Sequence, residues 1–367
     1  MLNFFNKYFC LISNNYIIFL SINAKINLIS YMIPIIIVSI VFFLLNEFCQ
    51  KNKLLIDRVS FSKHKKFIEF HNKPPITGGL FIILSFLLLT FYDFKWTQLS
   101  LFLFIFVVGF FSDIFKNFSP QIRIVLQILI CFFFISNNNI LITDTRIDVM
   151  DNYFTLYPEL SVIFTIFCFI VLINGSNFID GVNLSSVGYF LLIFIGLIFL
   201  SEKFDVLLNR KIIFLLISLL TVVLIMNFMN KTLLGDGGVY FLGFVTSFIL
   251  IEFVNTNKIV SPFFAITVLW YPCFENLFSI IRKLIFKIEA SKPDNKHLHH
   301  LIYIFFKKKF KNPNNLAGIS IILFNFLIIF LGISFFNYTK YLVLIIFFSI
   351  IVYLFCYWFF YKMSLRQ

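Results

Sequence analysis

The chain of 367 residues is far more apolar than a soluble protein, since 60% of its residues are hydrophobic, 20% are aromatic and only 13% are charged. Soluble domains carry about 25% charged residues, so a soluble globular enzyme or binding module is excluded. The mean hydropathy of +0.95 indicates a polytopic membrane protein. The net charge of +13 is interpreted as membrane topology and contact with the anionic lipid bilayer, and no nucleic-acid partner is predicted.

The first 30 residues fit a membrane-spanning pattern poorly. They hold a weak apolar stretch with Lys7 and Lys25, and they show no signal-peptide cleavage pattern. Residues 1–30 are therefore treated as an N-terminal extension with three possible explanations. They could form an extra span or an interfacial helix, or the true start could be Met32. Residues 31–361 are predicted to form one integral-membrane domain.

From residue 31 onward the sequence predicts an all-α fold of 10–11 transmembrane helices, because about 20 mostly apolar residues are needed to span a bilayer. Eleven apolar runs approach or exceed that length. They lie near residues 31–49, 76–92, 97–112, 120–136, 158–175, 184–200, 211–229, 238–254, 260–281, 316–336 and 340–361.

The distribution of Lys and Arg orients these runs, because positively charged loops stay in the cytoplasm. The loop QKNKLLIDRVSFSKHKKFIEFHNK after the first run and the stretch from Arg282 to Lys311 are both basic, and an even number of runs separates them. The predicted topology has the N-terminus outside, the C-terminus inside and a cytoplasmic loop over residues 286–315. The chain is therefore predicted to cross the membrane many times.

Five polar segments fall on the predicted cytoplasmic face. They are FHNKPPITGG (70–79), GFFSDIFKNFSP (109–120), NGSNFIDGVN (174–183), NKTLLGDGGVYFLG (230–243) and PDNKHLHH (293–300). Taken singly, Asp113 would also fit a helix N-cap, and Asp180 and Asp236 would fit ordinary turns. Because charge at membrane depth is costly, three carboxylates at separate inner span ends beside a histidine cluster favour a functional site.

Carboxylates, glycine-rich turns, histidines and lysines at a membrane surface are typical of phosphate chemistry. Carboxylate oxygens hold Mg²⁺, and glycine lets backbone N–H groups approach phosphate. Phosphoryl transfer needs mainly positioning and charge neutralisation from the protein. The sequence has no GxxxxGK[ST] loop, which argues against a nucleotide-hydrolysing pump.

These motifs, as an ordered set, resemble the polyprenyl-phosphate N-acetylhexosamine-1-phosphate transferases, the MraY/WecA family or glycosyltransferase family 4. HNKPPITGG is similar to the family's H-x-x-P-x-x-x-GG, GFFSDIF to G-x-x-DD, NGSNFIDG to N-x-x-N-x-x-DG and LGDGGVYFLG to GD-x-G-x-x-x-x-G. PDNKHLHHL resembles the HxHH loop of the WecA-like branch. The likeness covers about residues 31–361, with an active site on the cytoplasmic face.

The resemblance implies a reaction between two membrane-surface substrates. Undecaprenyl phosphate would attack the sugar-side phosphate of a UDP-N-acetylhexosamine, and UMP would leave. Mg²⁺ is implied as cofactor, with Mn²⁺ as the alternative ion, and a homodimer is left open. The implied role is to initiate a surface polysaccharide such as O-antigen, and the alternative within the family is the phospho-N-acetylmuramoyl-pentapeptide transfer of peptidoglycan synthesis.

Carried over to this sequence, the resemblance implies Asp236 as the principal metal ligand, with Asp113 beside it. Both are expected to be catalytic, together with His299. The residues expected to bind substrate are His71, Lys73, Asn174, Asn177, Asp180, Asn183, His297, His299 and His300. Glu275, in the ninth run, is expected to pair with Arg282, in either a structural or a catalytic role.

Two positions depart from the family's motifs: Ser112 replaces the first Asp of the acidic pair, and Asn183 replaces the second Asp of DG-x-D. If the carboxylate missing at Ser112 served to deprotonate the lipid phosphate, its loss should be mild, because a phosphate monoester has a second pKa of about 6 and is mostly dianionic at pH 7. If it held the metal, the loss is serious. Asn183 keeps hydrogen-bonding ability but loses a charge, which would affect base or sugar recognition.

Other interpretations stay open at the level of sequence. The histidines could bind zinc, but zinc sites want about four ligands and no cysteine lies near, or they could belong to a solvated loop with no role. A transporter or channel would suit eleven spans, yet transporter sites lie near the bilayer midplane within repeated halves. A structural or assembly protein would not need acidic residues at three inner turns.

Overall fold

The structure, a computed structural model, describes residues 32–56, 74–115, 117–204, 206–285, 287 and 296–365. Over these ranges the chain is helical, with no strand beyond an isolated antiparallel bridge between Ile56 and Pro75. The chain divides into residues 1–45 and 46–367. In the first unit the described residues, 32–45, belong to the apolar helix α1, Met32–Lys51. The predicted extension over residues 1–30 lies outside the described residues.

Within the described ranges, nine helices are long and apolar enough to cross a membrane. They are α1, α3 (Trp96–Ile114), α4 (Pro120–Asn138), α6 (Pro158–Ile179), α7 (Ser185–Lys203), α8 (Arg210–Phe228), α9 (Gly235–Thr256), α13 (Pro313–Ser334) and α14 (Thr339–Leu365). The shorter apolar helix α2, Gly78–Leu89, has 12 residues. The predicted all-α polytopic class is confirmed, whereas the orientation across the membrane stays a prediction.

The ninth predicted run, 260–281, is a broken span. It consists of α10 (Pro262–Val268) and α11 (Trp270–Ile285), which bend by 71° relative to each other. The bend has a cause in the sequence, because Pro272 has no backbone N–H to donate to the carbonyl of Val268, and its ring crowds that carbonyl. This bend turns α11 to a new direction before it reaches the predicted cytoplasmic loop.

Two short helices lie outside the eleven predicted runs. α5, Asp148–Leu156, lies between the predicted runs 120–136 and 158–175. α12, Leu298–Lys307, lies within the predicted loop 286–315 and begins directly after His297, which occupies the N-cap position with extended backbone angles. Residues 286 and 288–295 of that loop lie outside the described residues. His299 and His300 therefore sit in the first turn of a helix.

α9 is the most buried span of residues 46–367, with 83% of its apolar window buried against at most 72% for the other spans. A helix that is hydrophobic on all sides packs in the interior of a bundle. Phenylalanines from its neighbours surround it: the ring of Phe244 lies 5.9 Å from Phe102 of α3 and 4.8 Å from Phe134 of α4, both edge to face. Such aromatic pairs stabilise the packing beyond their buried area, and they fix α9 as the element around which the polar segments gather.

Candidate active site

Asp113 and Asp236 come from different helices and meet at one point. α3 and α9 touch there because Gly109 has no side chain, and an added Cβ would lie 2.5 Å from the carbonyl oxygen of Asp236. Asp113 is buried, with its Oδ2 3.5 Å from the backbone N–H of Gly237. Asp236, in the first turn of α9, accepts a hydrogen bond from Ser112 Oγ at 3.0 Å. The two predicted metal ligands are therefore brought together.

Arg123, in α4, joins this pair and is not among the site residues that the sequence predicts. Its Nη1 donates to Ser112 Oγ at 2.7 Å and lies 3.8 Å from Oδ2 of Asp236. The Ser112 hydroxyl therefore accepts from the cation and donates to the carboxylate. A signal for Arg123 exists in the sequence, since it is the single charged residue in the apolar run 120–136, and such residues are usually functional or paired.

Tyr240, fully buried in α9, extends the network toward α6. Its hydroxyl accepts from Arg123 Nη1 at 3.4 Å and from Asn177 Nδ2 at 3.4 Å. Asn177 and Asp180 are both partly exposed, and Asp180 accepts a hydrogen bond from the Ser186 hydroxyl. The segment 174–183 is thus connected to the carboxylate pair through one tyrosine.

Asn174 is bound to the protein scaffold. Its Nδ2 donates to Gln127 Oε1 of α4 at 2.8 Å and to the backbone carbonyl of Ile170 at 2.9 Å. Both amide hydrogens are then used, because an asparagine amide has two. Its predicted contact with substrate stays a prediction, and only its side-chain oxygen remains to make one.

Asn183 is buried among other asparagines. Its Nδ2 lies within hydrogen-bond distance of the Asn227 carbonyl (3.2 Å), Asn230 Oδ1 (2.5 Å) and Asn315 Oδ1 (2.8 Å), and its backbone N–H donates to Asn314 Oδ1. These contacts join the start of α7 to the end of α8 and the start of α13. They favour a structural role over the predicted role in substrate binding.

His299 and His300 lie against Gly181 of the DG motif. An added Cβ at Gly181 would overlap Nε2 of His299 and lie 2.8 Å from Nε2 of His300. His299 is fully buried, and neither of its ring nitrogens has a hydrogen-bond partner within the described part of the chain. Buried polar atoms in proteins almost always have partners, so this imidazole is suited to a bound ligand.

Burial, followed by the neighbouring His300 and His297, holds the pKa of His299 well below its usual range. Its imidazole is therefore neutral at pH 7, with one ring nitrogen able to donate a hydrogen bond and the other able to accept one. A neutral ring of this kind can contact a phosphate oxygen or a ribose or sugar hydroxyl.

The expected pairing of Glu275 with Arg282 is wrong. Glu275, fully buried, accepts from His297 Nδ1 at 2.9 Å and from the Tyr353 hydroxyl at 2.6 Å. Arg282 donates to the backbone carbonyl of Lys296 at 2.7 Å. The spacing of seven residues puts Glu275 and Arg282 two turns apart on α11, and each side chain contacts the residues before α12 instead. The predicted substrate contacts His71 and Lys73 lie outside the described residues.

The residues at the carboxylate pair fit a hard divalent cation. Asp113, Asp236 and Ser112 offer only oxygen donors, which Mg²⁺ prefers over nitrogen or sulfur. Among the described residues, no group of three or more His, Cys, Asp or Glu side chains forms a metal cage. An ion held by two carboxylates would keep water or phosphate oxygens as its other ligands, as Mg²⁺ usually does.

Comparison with known proteins finds a family model that matches part of the chain and two similar proteins. Residues 95–254 match the family model of glycosyl transferase family 4. The chain is 30% identical over 151 residues to the "Probable undecaprenyl-phosphate N-acetylglucosaminyl 1-phosphate transferase" of Bacillus subtilis, covering 38% of this chain and 40% of that protein. It is 26% identical over 263 residues to the "Undecaprenyl-phosphate alpha-N-acetylglucosaminyl 1-phosphate transferase" of Thermotoga maritima, covering 70% of this chain and 75% of that protein.

The region matched by the family model runs from the start of α3 nearly to the end of α9. It contains Asp113 and the segment 174–183, and within it the side chains of Arg123, Asn177 and Asp236 are connected through Ser112 and Tyr240. The match thus covers the carboxylate site and the turn against which the histidines lie. The chain is thus similar to glycosyl transferase family 4 over residues 95–254, and to two proteins whose names describe undecaprenyl-phosphate N-acetylglucosaminyl 1-phosphate transferases.

Proposed function

We propose that this protein transfers N-acetylglucosamine 1-phosphate from UDP-N-acetylglucosamine to undecaprenyl phosphate and releases UMP. The observation that carries the proposal is the junction of α3 and α9, where Asp113, Asp236 and the cation Arg123 lie together. Anionic ligands next to a fixed cation suit phosphoryl transfer, which depends on positioning and charge neutralisation. The names of the two relatives supply the sugar and the lipid.

The proposed step is one displacement at phosphorus. A phosphate oxygen of undecaprenyl phosphate attacks the β-phosphorus of the nucleotide sugar, the bond to the bridging oxygen breaks, and UMP leaves with that electron pair. Asp113 and Asp236 would hold Mg²⁺, which supplies charge neutralisation on the diphosphate. Arg123 would contact a phosphate oxygen from the α4 side, and His299 with His300 would contact the diphosphate from the α12 side.

The attacking phosphate needs no strong base from the protein. Its second pKa of about 6 leaves it mostly dianionic at pH 7. Ser112 in place of a carboxylate is therefore compatible with activity, provided that Asp113 and Asp236 hold the metal. His71 and Lys73 remain proposed phosphate contacts at the start of the domain.

We further propose the WecA-like branch, acting on the cytoplasmic face of a bacterial inner membrane to initiate a surface polysaccharide such as O-antigen. The motif PDNKHLHH and the basic inner loops support this assignment. The test is a transfer assay on the purified full chain with undecaprenyl phosphate, Mg²⁺ and a panel of UDP-sugars. We expect lipid-linked product from UDP-N-acetylglucosamine, lost on chelation and restored by Mg²⁺ or Mn²⁺. Transfer from the muramoyl-pentapeptide donor alone would contradict the branch, and no transfer by folded protein would contradict the activity.

Ser112→Ala tests the departure in the acidic pair. The variant loses the hydroxyl between Arg123 and Asp236 but keeps both charges, which already lie 3.8 Å apart and can pair directly without it. We expect kcat to fall by less than about tenfold. The control is Ser218→Ala on α8, whose hydroxyl is exposed and bonded only to its own helix. A collapse of turnover in Ser112→Ala alone would show that the hydroxyl has taken over the role of the missing carboxylate.

Gly181→Ala tests whether the histidines act where the structure places them. The new methyl group must push His299 and His300 away from the DG turn, and misplacing a catalytic group by about 1 Å can cost about 10²-fold in rate. We expect that loss in kcat with an unchanged thermal unfolding midpoint. Gly196→Ala, where a Cβ would lie 2.7 Å from the end of Ile333, is the matched control. Full activity in Gly181→Ala would remove His299 from the site.

A further inference from the structure

Two parallel sets of contacts hold the residues at the start of α12. In the first set, the Tyr353 hydroxyl donates to Glu275 Oε2 at 2.6 Å, and His297 Nδ1 donates to Glu275 Oε1 at 2.9 Å. All three side chains are buried. One carboxylate of α11 therefore connects α14 to the first histidine of the cluster.

In the second set, Arg282 Nη1 donates to the Lys296 carbonyl at 2.7 Å and to the Tyr357 hydroxyl at 3.1 Å. The guanidinium also lies over two aromatic rings, 5.4 Å from the centre of Phe278 and 5.5 Å from that of Tyr357. Cations over aromatic faces are stabilised by the ring quadrupole. Arg282 is thus held firmly at the backbone of the residue just before His297.

The two sets repeat one geometry. Glu275 and Arg282 are seven residues apart on α11, and Tyr353 and Tyr357 are four apart on α14, so each pair shares a helix face. We call Glu275, Arg282, Tyr353 and Tyr357 the histidine anchor. A buried carboxylate and a buried guanidinium are costly unless both are well paired. Here Glu275 binds the side chain of His297, and Arg282 binds the backbone carbonyl of the preceding residue, Lys296.

The anchor has a chemical consequence for His297. A carboxylate oxygen at Nδ1 keeps a hydrogen on that nitrogen, and so decides which ring nitrogen is left for other partners. The ring of His297 lies nearly parallel to that of His299, with centres 5.6 Å apart and planes 6° apart, and it also stacks on Phe178 at 5.2 Å. Fixing the plane of His297 therefore restrains His299 against Gly181.

We propose that Glu275 and Tyr353 are positioning residues that fix the tautomer and ring plane of His297, and that Arg282 and Tyr357 fix the backbone turn that carries it. This inference rests on the proposed function only in assigning the histidines to the diphosphate. Neither Glu275 nor Tyr353 contacts the substrate in this account, and their effect on turnover passes through His297.

The first test reads the tautomer and needs no turnover. The full chain is labelled with ¹⁵N-histidine in detergent micelles, and the signal of His297, one of five histidines, is assigned with His297→Gln. We expect a protonated Nδ1 in the wild type and a shifted, mixed state in Glu275→Gln and in Tyr353→Phe. Glu252→Gln, at an exposed position of α9, and Tyr189→Phe, which loses a buried bond to the Val268 carbonyl, should leave the signal unchanged. A bare Nδ1 in the wild type overturns the proposal.

The second test is a double-mutant cycle on kcat/KM with Glu275→Gln and His297→Gln. By comparison with partners that orient a metal-bound histidine, which contribute about 10–100-fold, we expect Glu275→Gln to lower kcat/KM by about 10-fold or more. In the His297→Gln background it should cause no further loss, because contacting residues are not additive. Additive losses would make Glu275 merely structural. If the wild type shows no transfer but a protonated Nδ1, the proposed function fails and the anchor stands; a bare Nδ1 in an active enzyme overturns the anchor alone.

Discussion

Asp236→Asn abolishes turnover while the fold remains intact. The amide has nearly the same shape, and its oxygen can still accept from Ser112 Oγ, which now bonds to Oδ2 at 3.0 Å. What is lost is the charge that pairs with Arg123 at 3.8 Å and that would hold Mg²⁺. We expect kcat to fall by about 10³-fold or more, because metal and charge stabilisation supply most of the catalysis in phosphoryl transfer. The measurement is the transfer rate at saturating donor and lipid, together with the thermal unfolding midpoint.

Asp93→Asn is the matched control for this experiment. Asp93 is also an aspartate bound by one cation, Lys211 at 2.6 Å, and its side chain is 23% exposed against 20% for Asp236. It lies in the turn after the C-terminal end of α2, whereas the first residues of that helix contact the start of α9, where Asp236 lies. Loss of activity in both variants would indicate general damage. Normal activity in Asp236→Asn would overturn the assignment of this carboxylate to the metal.

We expect Asn183→Asp, which introduces the second Asp of the DG-x-D motif that the sequence resembles, to destabilise this protein. The side-chain NH₂ group faces the Asn227 carbonyl, Asn230 Oδ1 and Asn315 Oδ1. A carboxylate in its place would set a negative charge against acceptors in a buried site, where 4% of the residue is exposed. We expect the free energy of unfolding to fall by about 3 kcal/mol, measured by thermal or denaturant unfolding in detergent, with no gain in turnover.

Asn52→Asp provides the comparison for that loss. Its Nδ2 donates to a single carbonyl, that of Phe48, at an exposed position, where water can solvate the new charge. We expect its effect to stay within about 0.5 kcal/mol, as for most surface substitutions. A higher unfolding midpoint or faster turnover in Asn183→Asp would show that the site accommodates a carboxylate. The contacts with Asn227, Asn230 and Asn315 would then not explain why an asparagine occupies position 183.

Much of the fold follows from hydropathy, because ten of the eleven predicted apolar runs correspond to one described helix each and the ninth corresponds to the bent pair α10 and α11. The proximity of Asp113 and Asp236 is also expected, since charged residues at the ends of apolar spans are costly to expose to lipid and are usually functional or paired. Two signals in the sequence could have added more. Pro272 marks the break between α10 and α11, and Arg123 is the one charge in its apolar run.

The partners of Glu275 could not be predicted in this way. Sequence spacing favours Arg282, two turns along the same helix face. The actual partners depend on where α14 packs, 78 residues further along for Tyr353, and on how the chain returns at His297. Contacts between distant segments are decided by tertiary packing, which local periodicity does not report. The same holds for Asn183, whose contacts with Asn227 and Asn315 join segments far apart in the sequence.

Transfer of the sugar together with its phosphate can be measured with a doubly labelled donor. The donor is UDP-N-acetylglucosamine with radioactive phosphorus in the β-phosphate and tritium in the sugar, incubated with the full chain, undecaprenyl phosphate and Mg²⁺. We expect both labels to reach the lipid in equal amounts while UMP is released, and neither label to move with Asp236→Asn. Tritium in the lipid without the phosphorus, with UDP released, would show that the enzyme transfers the sugar alone and would overturn the proposed function.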